Sequence, residues 1–304
     1  MHQKWNPTKA SMFDFKRGSL RFIRGGKYPH CHTLFIDDAP GAFIDAASNK
    51  DILKAVNCKN PIQILINSHG HEDHFIYNYL FSEAQLWVHE ADAPMFRDIN
   101  QLIDCYGPTP SERNRWLEFI EKSCHYKARD PDRLLKDGDE PTFGTTRCRV
   151  IHTPGHTPGH CAFHFPEERV LYTSDLDLVT AGPYYGDINS SIEDTLNSLE
   201  RLTGIDVDIY LASHGRGIHE GDPDRIREYA KVIYAREDKL LEFLADGPKT
   251  LEAITAHGII YGPPRVLSGW DLSTSERAMM KKHLEWLIKK GMAYSDKDHF
   301  YLAS

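Results

Sequence analysis

The stretch NSHGHEDHF, residues 67–75, places three histidines and two acids within six positions, His69 to His74. Imidazole and carboxylate together, with no thiolate, are ligands for a divalent cation; they suit zinc and admit iron or manganese, because affinity alone does not select the metal. His69 and His71 are two apart, so on an extended or loop backbone they point the same way, while Asp73 and His74 continue around the turn. Taken alone, this cluster is balanced between a metal site and a charged surface run. Three further candidates follow directly after apolar runs: His156 in HTPGHTPGH, where Pro and Gly make tight turns, Asp175 at the end of LYTSD, and His214 at the end of IYLASHG. Polar residues at several strand ends are what one expects if the strands deliver ligands to one rim.

The elements that must position these groups can be read from hydrophobic pattern. LRFI, HTLFIDDAPGAFIDAAS and PIQILINS alternate apolar runs with turn residues and predict strands, with LFI and AFI pairing around DDAPG and IQILI buried. NSHGHEDHF therefore sits where a buried strand ends, followed by a predicted helix at IYNYLFSEA and a strand at LWVHE. A strand, a ligand-rich loop and a helix is how an α/β layer presents a site at the edge of its sheet. Residues 90–136 predict a helical insertion, with patches at APMFRDINQLIDCYG and SERNRWLEFIEKS, the second capped by Ser111. Strands return at RCRVIHT, CAFHF, RVLYTSD and DIYLASHG, around a helix at SIEDTLNSLERLTG that ends near Gly204. From Asp222 to about Ala245 a long helix is predicted, since Tyr229, Val232, Ile233, Leu240 and Leu244 recur at helical spacing and Pro223 fits its first turn. KTLEAITAHG and STSERAMMKKHLEWLIKKG predict two more helices, and MAYSDKDHFYLAS a hairpin turning at DKD. That order is the order of a small winged-helix module.

Composition bounds the function. With 304 residues and 40% hydrophobic content the chain can build a large core and a second module. No apolar run approaches the roughly 20 residues of a membrane helix, and MHQKWNPTKASMFDF lacks the apolar stretch of a secretory signal, so a cytoplasmic location is expected. The six cysteines are scattered without a C-x-x-C pair, which predicts reduced, structural thiols. The net charge is −8; residues 221–304 hold 13 basic and 13 acidic residues, leaving 36−13 = 23 basic against 44−13 = 31 acidic for residues 1–220. Neither part carries the footprint of a dedicated nucleic-acid binder. Nucleic acid is admitted as a partner but not favoured, a small-molecule substrate is favoured, and a homodimer stays open.

The order His69, His71, Asp73, His74, then His156 in TPGH, Asp175 in SD and His214 in SHG resembles the metallo-β-lactamase superfamily. The resemblance covers residues about 20–220 and fills all seven ligand positions. It implies an α/β fold, an αββα sandwich in residues 1–220, with residues 221–304 as a C-terminal winged-helix-like domain. It also implies two divalent metal ions, zinc first, with iron or manganese as alternatives. His69, His71 and His156 would bind the first, Asp73, His74 and His214 the second, and Asp175 would bridge them. The glyoxalase II-like branch is favoured over the true β-lactamases, because Asp73 accompanies His74 and no cysteine stands at the Asp175 position. Flavodiiron members carry Glu where this chain has His71. The tail is similar to lactamase-like proteins with a C-terminal winged helix, endoribonucleases among them. The chain departs from many relatives in having Phe75, Ile76 and Tyr77 after the motif and IDAAS where IDTG is common.

The chemistry expected is hydrolysis. A water bridging two cations has its pKa lowered from about 16 to near neutrality, which supplies hydroxide at physiological pH. Asp175 would fix the metal pair and Asp73 would orient the nucleophile or take its proton, with no covalent intermediate. The leading expectation is cleavage of a small ester, thioester or lactone, under a lid formed by Tyr106, Trp116 and Phe119. The alternatives are a metal-dependent endoribonuclease or phosphodiesterase, and a mononuclear iron enzyme similar to persulfide dioxygenases. Among other residues, His160 is expected to orient a ligand, His30 to face the cleft, Tyr184 and Tyr185 either to bond substrate or to form an aromatic wall, and Asp137 and Asp139 to make a turn.

Overall fold

The alternation between residues 20 and 66 becomes one edge of a seven-stranded sheet in the computed structural model, which describes residues 12–267 and 270–303. Most of the N-terminal segment read for a signal, residues 1–11, lies outside the described residues. Strands β1 (Phe15–Arg17), β2 (Leu20–Ile23), β3 (Thr33–Ile36) and β4 (Gly41–Ile44) pair antiparallel in order. The expected hairpin forms, with Leu34 opposite Ile44 and Phe35 opposite Phe43. Helix α1 (Lys50–Lys59), capped by the Asn49 side chain, then crosses to β5 (Ile62–Ile66), which lies parallel to β4 and beside β6 (Gln85–His89).

Four sequence expectations are corrected between residues 72 and 135. The helix expected at IYNYLFSEA is a single 3-10 turn, Asn78–Phe81, because the helical turn falls earlier, inside the motif, as α2 (Glu72–Phe75). The patch APMFRDINQLIDCYG is two helices, α3 (Ala93–Arg97) and α4 (Ile99–Cys105), broken at Asp98, whose extended backbone lets its side chain cap α4. Helix α5 (Pro110–Lys122) is capped by Thr109 rather than Ser111: Thr109 and Glu112 form a reciprocal capping box with Pro110 in the first turn. Residues 90–136 are also not wholly an insertion, since β7 (Arg133–Leu135) joins the sheet parallel to β6. Parallel neighbours need a crossover, and α3 to α5 supply it.

After the short hairpin β8 (Thr142–Phe143) and β9 (Thr146–Arg147), a second sheet forms from β10 (Arg149–His152), β11 (Cys161–Phe165), β12 (Val170–Ser174), β13 (Ile209–Ala212) and β14 (Ile218–Glu220). Helix α6 (Ile192–Thr203) links β12 to its parallel neighbour β13; it is capped by Ser191 and ends at Gly204. The two sheets face each other across Phe22, Leu34, Ile44, Ile64 and Ile66 from the first and Val150, Phe163, Phe165, Tyr172 and Leu211 from the second. The outer face of the first sheet is covered by α1 and α3 to α5, and that of the second by α6 and the next helix. The layers run helix, sheet, sheet, helix.

Helix α7 (Pro223–Ala245), capped by Asp222 with proline in its first turn, belongs to two cores. Ile226, Tyr229 and Ile233 pack with α6 and the second sheet, whereas Leu240 and Leu244 pack with α8 (Leu251–His257) and α9 (Leu272–Lys289). Strand β15 (Lys249–Thr250), the pair β16 (Val266–Leu267) and β17 (Trp270–Asp271), and the hairpin β18 (Ala293–Asp296) and β19 (His299–Leu302) complete the chain, with sheet order β15, β19, β18. All six cysteines are unpaired and only Cys58 is exposed. Among the described residues no helix is long and apolar enough to cross a membrane.

Candidate metal centre

The seven sequence-selected residues converge at one rim. His69 and His71 follow β5, Asp73 and His74 lie on α2, His156 lies between β10 and β11, Asp175 follows β12, and His214 follows β13. The backbone bends at residues 68–70 and is extended at His71 (φ −73°, ψ 149°) before α2 begins, so two donors precede the helical turn and two lie on it. These strands end at the same border of the facing sheets, where α/β folds place ligands.

Asp175 stands between two groups. Its Oδ2 lies 3.3 Å from His156 Nε2 and 3.9 Å from His69 Nε2, and His156 Nε2 is 3.0 Å from His71 Nδ1. Its Oδ1 lies 2.9 Å from His74 Nε2 and 3.4 Å from His214 Nε2, and His214 Nε2 is 3.4 Å from Asp73 Oδ2. The first set, His69, His71, His156 and Asp175, and the second, Asp73, His74 and His214, each bring their donor atoms within 4.8 Å of one another. His69 Nε2, His74 Nε2 and Asp175 Oδ1 are buried without a hydrogen-bond partner. Unpaired buried polar atoms are costly, and three of them around one space fit a cation that takes up their lone pairs. The donor chemistry, imidazole and carboxylate, fits a divalent transition metal.

The electrostatics ask for positive charge. Burial pushes the His71 imidazole down, but the Asp187 carboxylate outweighs it and holds it up to about 9. At His214 burial is likewise outweighed, by Asp175, and the ring is raised to about 9. Without a cation, protons fill the role; metal must displace them, so its affinity falls as pH falls.

In four of the five histidines the nitrogen turned away from this space is held. His71 Nε2 bonds Asp187 Oδ2 at 2.7 Å, His156 Nδ1 donates to the Tyr184 carbonyl at 2.9 Å, His69 Nδ1 lies 3.1 Å from Ser68 Oγ, and His74 Nδ1 lies 3.0 Å from Asp45 Oδ2. Such partners fix ring orientation and the nitrogen offered to a metal. Asp45 also accepts from Ser68 N, Ser68 Oγ and Tyr172 Oη, each at 2.8 Å. Asp92 ties two ligand loops together, accepting from Gly70 N at 3.0 Å, Thr157 Oγ1 at 2.6 Å and Gly159 N at 2.7 Å. Any Cβ at Gly159 would meet Asp92 Cγ at 2.6 Å, so this close approach requires glycine. Asp45 and Ser174, neither a glycine, take left-handed backbones (φ 56° and 52°) at strand ends beside the centre, strain of a kind that accumulates at functional sites.

Asp45, Asp92, Asp187 and Glu72 escaped the sequence reading. Glu72 had a signal, an acid inside the motif, and Asp45 had one as the acid of the IDAAS stretch; Asp92 and Asp187 gave none. Glu72 is buried, with Tyr28 Oη at 2.5 Å from one carboxylate oxygen and Tyr106 Oη on the other. Tyr106 stacks on Trp116 at 4.6 Å and its ring lies 5.5 Å from His71, while Phe119 packs on Trp116 and Tyr28. The three expected aromatic residues thus form a wall beside His71. His160 holds Asp175 from behind, accepting its backbone N–H at Nε2 (3.2 Å). His30 stacks on Tyr77, and its Nδ1 lies 3.2 Å from the Ala47 carbonyl. Tyr184 packs edge-on against His156, but Tyr185 is not available to substrate: it is fully buried, with its hydroxyl on Arg236 and His283. Asp137 and Asp139 do make a turn, bonding His152 N and Lys136 N.

Residues 59–214, just over half of the chain, match the family described as the metallo-beta-lactamase superfamily. The chain belongs to that superfamily. A hydroxyacylglutathione hydrolase of Brucella ovis is 34% identical over 119 residues, 35% of this chain and 45% of the relative, so the chain spans about half the length of the curated relatives it matches. Two crystal structures share the fold at a TM-score of 0.73: a metallo-beta-lactamase family protein of Thermus thermophilus (22% identity, 93% of this chain and 98% of that one) and a beta-lactamase domain protein of Burkholderia ambifaria (18% identity, 94% and 91%). Superfamily membership accords with a His/Asp cluster suited to a divalent metal.

Proposed function

We propose that the chain is a hydrolase that holds two divalent metal ions, zinc first, and cleaves a small ester or thioester, with a lactone as a further candidate. The observation that carries the reading is the arrangement around Asp175, whose two oxygens face two separate donor sets. His69, His71 and His156 would hold one ion, Asp73, His74 and His214 the other, with Asp175 between them. Bound there, the pair supplies Lewis acidity and a water acidified to near-neutral pKa. The chain's own residues do the rest. Asp73 Oδ2, 3.4 Å from His214 Nε2, stands where it can accept a proton from an attacking water. Asp187, Tyr184, Asp45 and Ser68 keep the ligand rings in register, and the wall of Tyr106, Trp116 and Phe119 offers an apolar surface to an acyl group.

Similarity to hydroxyacylglutathione hydrolases favours a thioester. The acidic balance of residues 1–220 disfavours a polyanion, and residues 221–304 are proposed as a winged-helix-like module with a structural role. A cytoplasmic location and a homodimer complete the proposal.

The test is metal content of protein purified without added metal, combined with a screen of thioester, lactone and phosphodiester substrates. Two ions per chain with thioester or lactone turnover is the expected result, and Asp175→Ala should abolish turnover while the fold survives. One iron with oxygen uptake, or phosphodiester cleavage alone, would overturn the reading. So would full activity in the Asp175 variant.

A further inference from the structure

We propose that the C-terminal helices position one half of the metal centre: Arg236 on α7 and Lys282 on α9 hold residues 181–188, the segment that orients His71 and His156. This rests on the two-metal reading above.

Arg236 lies on the buried stripe of α7, between Ile233 and Leu240, where an apolar side chain would serve packing at less cost. It is 5% exposed. Its guanidinium spends its donors on a single segment: Nη1 donates to the Pro183 carbonyl and to Tyr185 Oη, both at 2.8 Å, and Nη2 to the Ala181 carbonyl. The group also lies over the Tyr185 ring, 5.5 Å from its centroid. Arginine suits such a post because its planar fork binds several acceptors and never deprotonates. The segment passes directly against the helix. Gly182 has φ +83°, and a Cβ there would meet Val232 Cγ1 at 2.4 Å.

Three further contacts fix the segment, one just before it and two at its end. Two turns before Arg236, Tyr229 Oη donates to Asp177 Oδ1 at 2.8 Å. From α9, Lys282 Nζ donates to the Ile188 carbonyl at 2.6 Å, while Ile188 N donates to the Cys105 carbonyl at 2.7 Å on the other side. Between these anchors lie the two groups that face the centre, the Tyr184 carbonyl on His156 and the Asp187 carboxylate on His71. Both rings belong to the first donor set. The contacts that hold His74 in the second set come from Asp45 and Ser68, in the bends that follow the inner strands β4 and β5. Loosening the C-terminal grip therefore weakens one ion and spares the other.

The experiment is stepwise competition for Zn2+ between a chromophoric chelator and the full-length protein, as wild type, Arg236→Met, Lys282→Ala and Lys281→Ala. Wild type should hold two ions in two resolvable steps. Arg236→Met should lose about 10-fold in one step and little in the other, the low end of what outer-shell partners contribute. Lys282→Ala should shift the same step by less, and it remains informative if the buried substitution fails to fold. Among the described residues Lys281 pairs with Glu285 alone, on the exposed face of α9, so its replacement should change neither step. Folded variants that keep both affinities within about twofold, or lose both equally, overturn the inference. Wild type that binds no metal overturns the two-metal reading, and the inference falls with it.

Discussion

The two donor sets on either side of Asp175 are anchored in different ways. In the second, His74 bonds back to Asp45, which also takes Ser68 and Tyr172, and these four residues, from both sheets or the turn that follows β5, are completely buried. Its anchor is the inter-sheet core itself. In the first set His69 rests on Ser68, but His71 and His156 rest on a carboxylate and a carbonyl in the segment after β12, and that segment is held in turn by α7 and α9, outside the two sheets. An interior is close-packed and moves only as a whole, whereas a segment held by a few polar contacts opens at lower cost. The second set should therefore be coupled to global stability, and the first to the geometry of a loop.

The sharpest way to break this contrast is Asp45→Asn. It preserves shape but removes the charge on which three buried donors and one imidazole converge, and should cost on the order of 3 kcal/mol of stability. Chemical denaturation of the metal-free protein measures this directly, and an unchanged midpoint would show that the inner network is not a structural anchor. Asp187→Asn should do the reverse. Above about pH 9, where the His71 ring is neutral in the metal-free protein, stability should move by less than about 1 kcal/mol, as for a single neutral hydrogen bond, while zinc affinity of one step falls about 10- to 100-fold because the ring loses its orienting carboxylate. Equal losses of stability in the two variants would erase the distinction.

The same contrast explains what could be read from sequence. The seven donors were legible because they sit in short motifs at strand ends, where an imidazole or carboxylate has little packing role. Their anchors were not. Asp187 meets His71 across 116 positions, and the Tyr184 carbonyl is a backbone group that any residue would supply. The fold followed where pattern and tertiary packing agree, as in the hairpin of β3 and β4. It departed at IYNYLFSEA, where the tight motif turn leaves room for one 3-10 turn, and at residues 133–135, too few for alternation to announce a strand. Arg236 did leave a signal. The spacing that selected Tyr229, Ile233, Leu240 and Leu244 passes through position 236, and a charge on a buried stripe marks a group held for what it binds.

The outer anchor should also lose stability toward acid through a buried neutral histidine, a loss the inner one lacks because the charges around His74 outweigh its burial and hold it well above its ordinary value. His283 is fully buried, with Nε2 on Tyr185 Oη at 2.8 Å; burial, reinforced by Arg236 and Lys290, lowers it to about 3. An unfolded histidine takes up a proton near pH 6.5, and the folded one resists until about pH 3. As pH falls through that window the unfolded state binds more protons, so stability declines, by up to about 1.4 kcal/mol per pH unit from this group. His283→Gln keeps a hydrogen-bonding partner for the Tyr185 hydroxyl and removes the titration. Denaturation midpoints of metal-free protein between about pH 6.5 and pH 4 should therefore fall less steeply in the variant than in wild type. Parallel curves would mean that His283 is protonated in the folded state, and that the Tyr185 and Arg236 cluster tolerates a second cation beside the segment it holds.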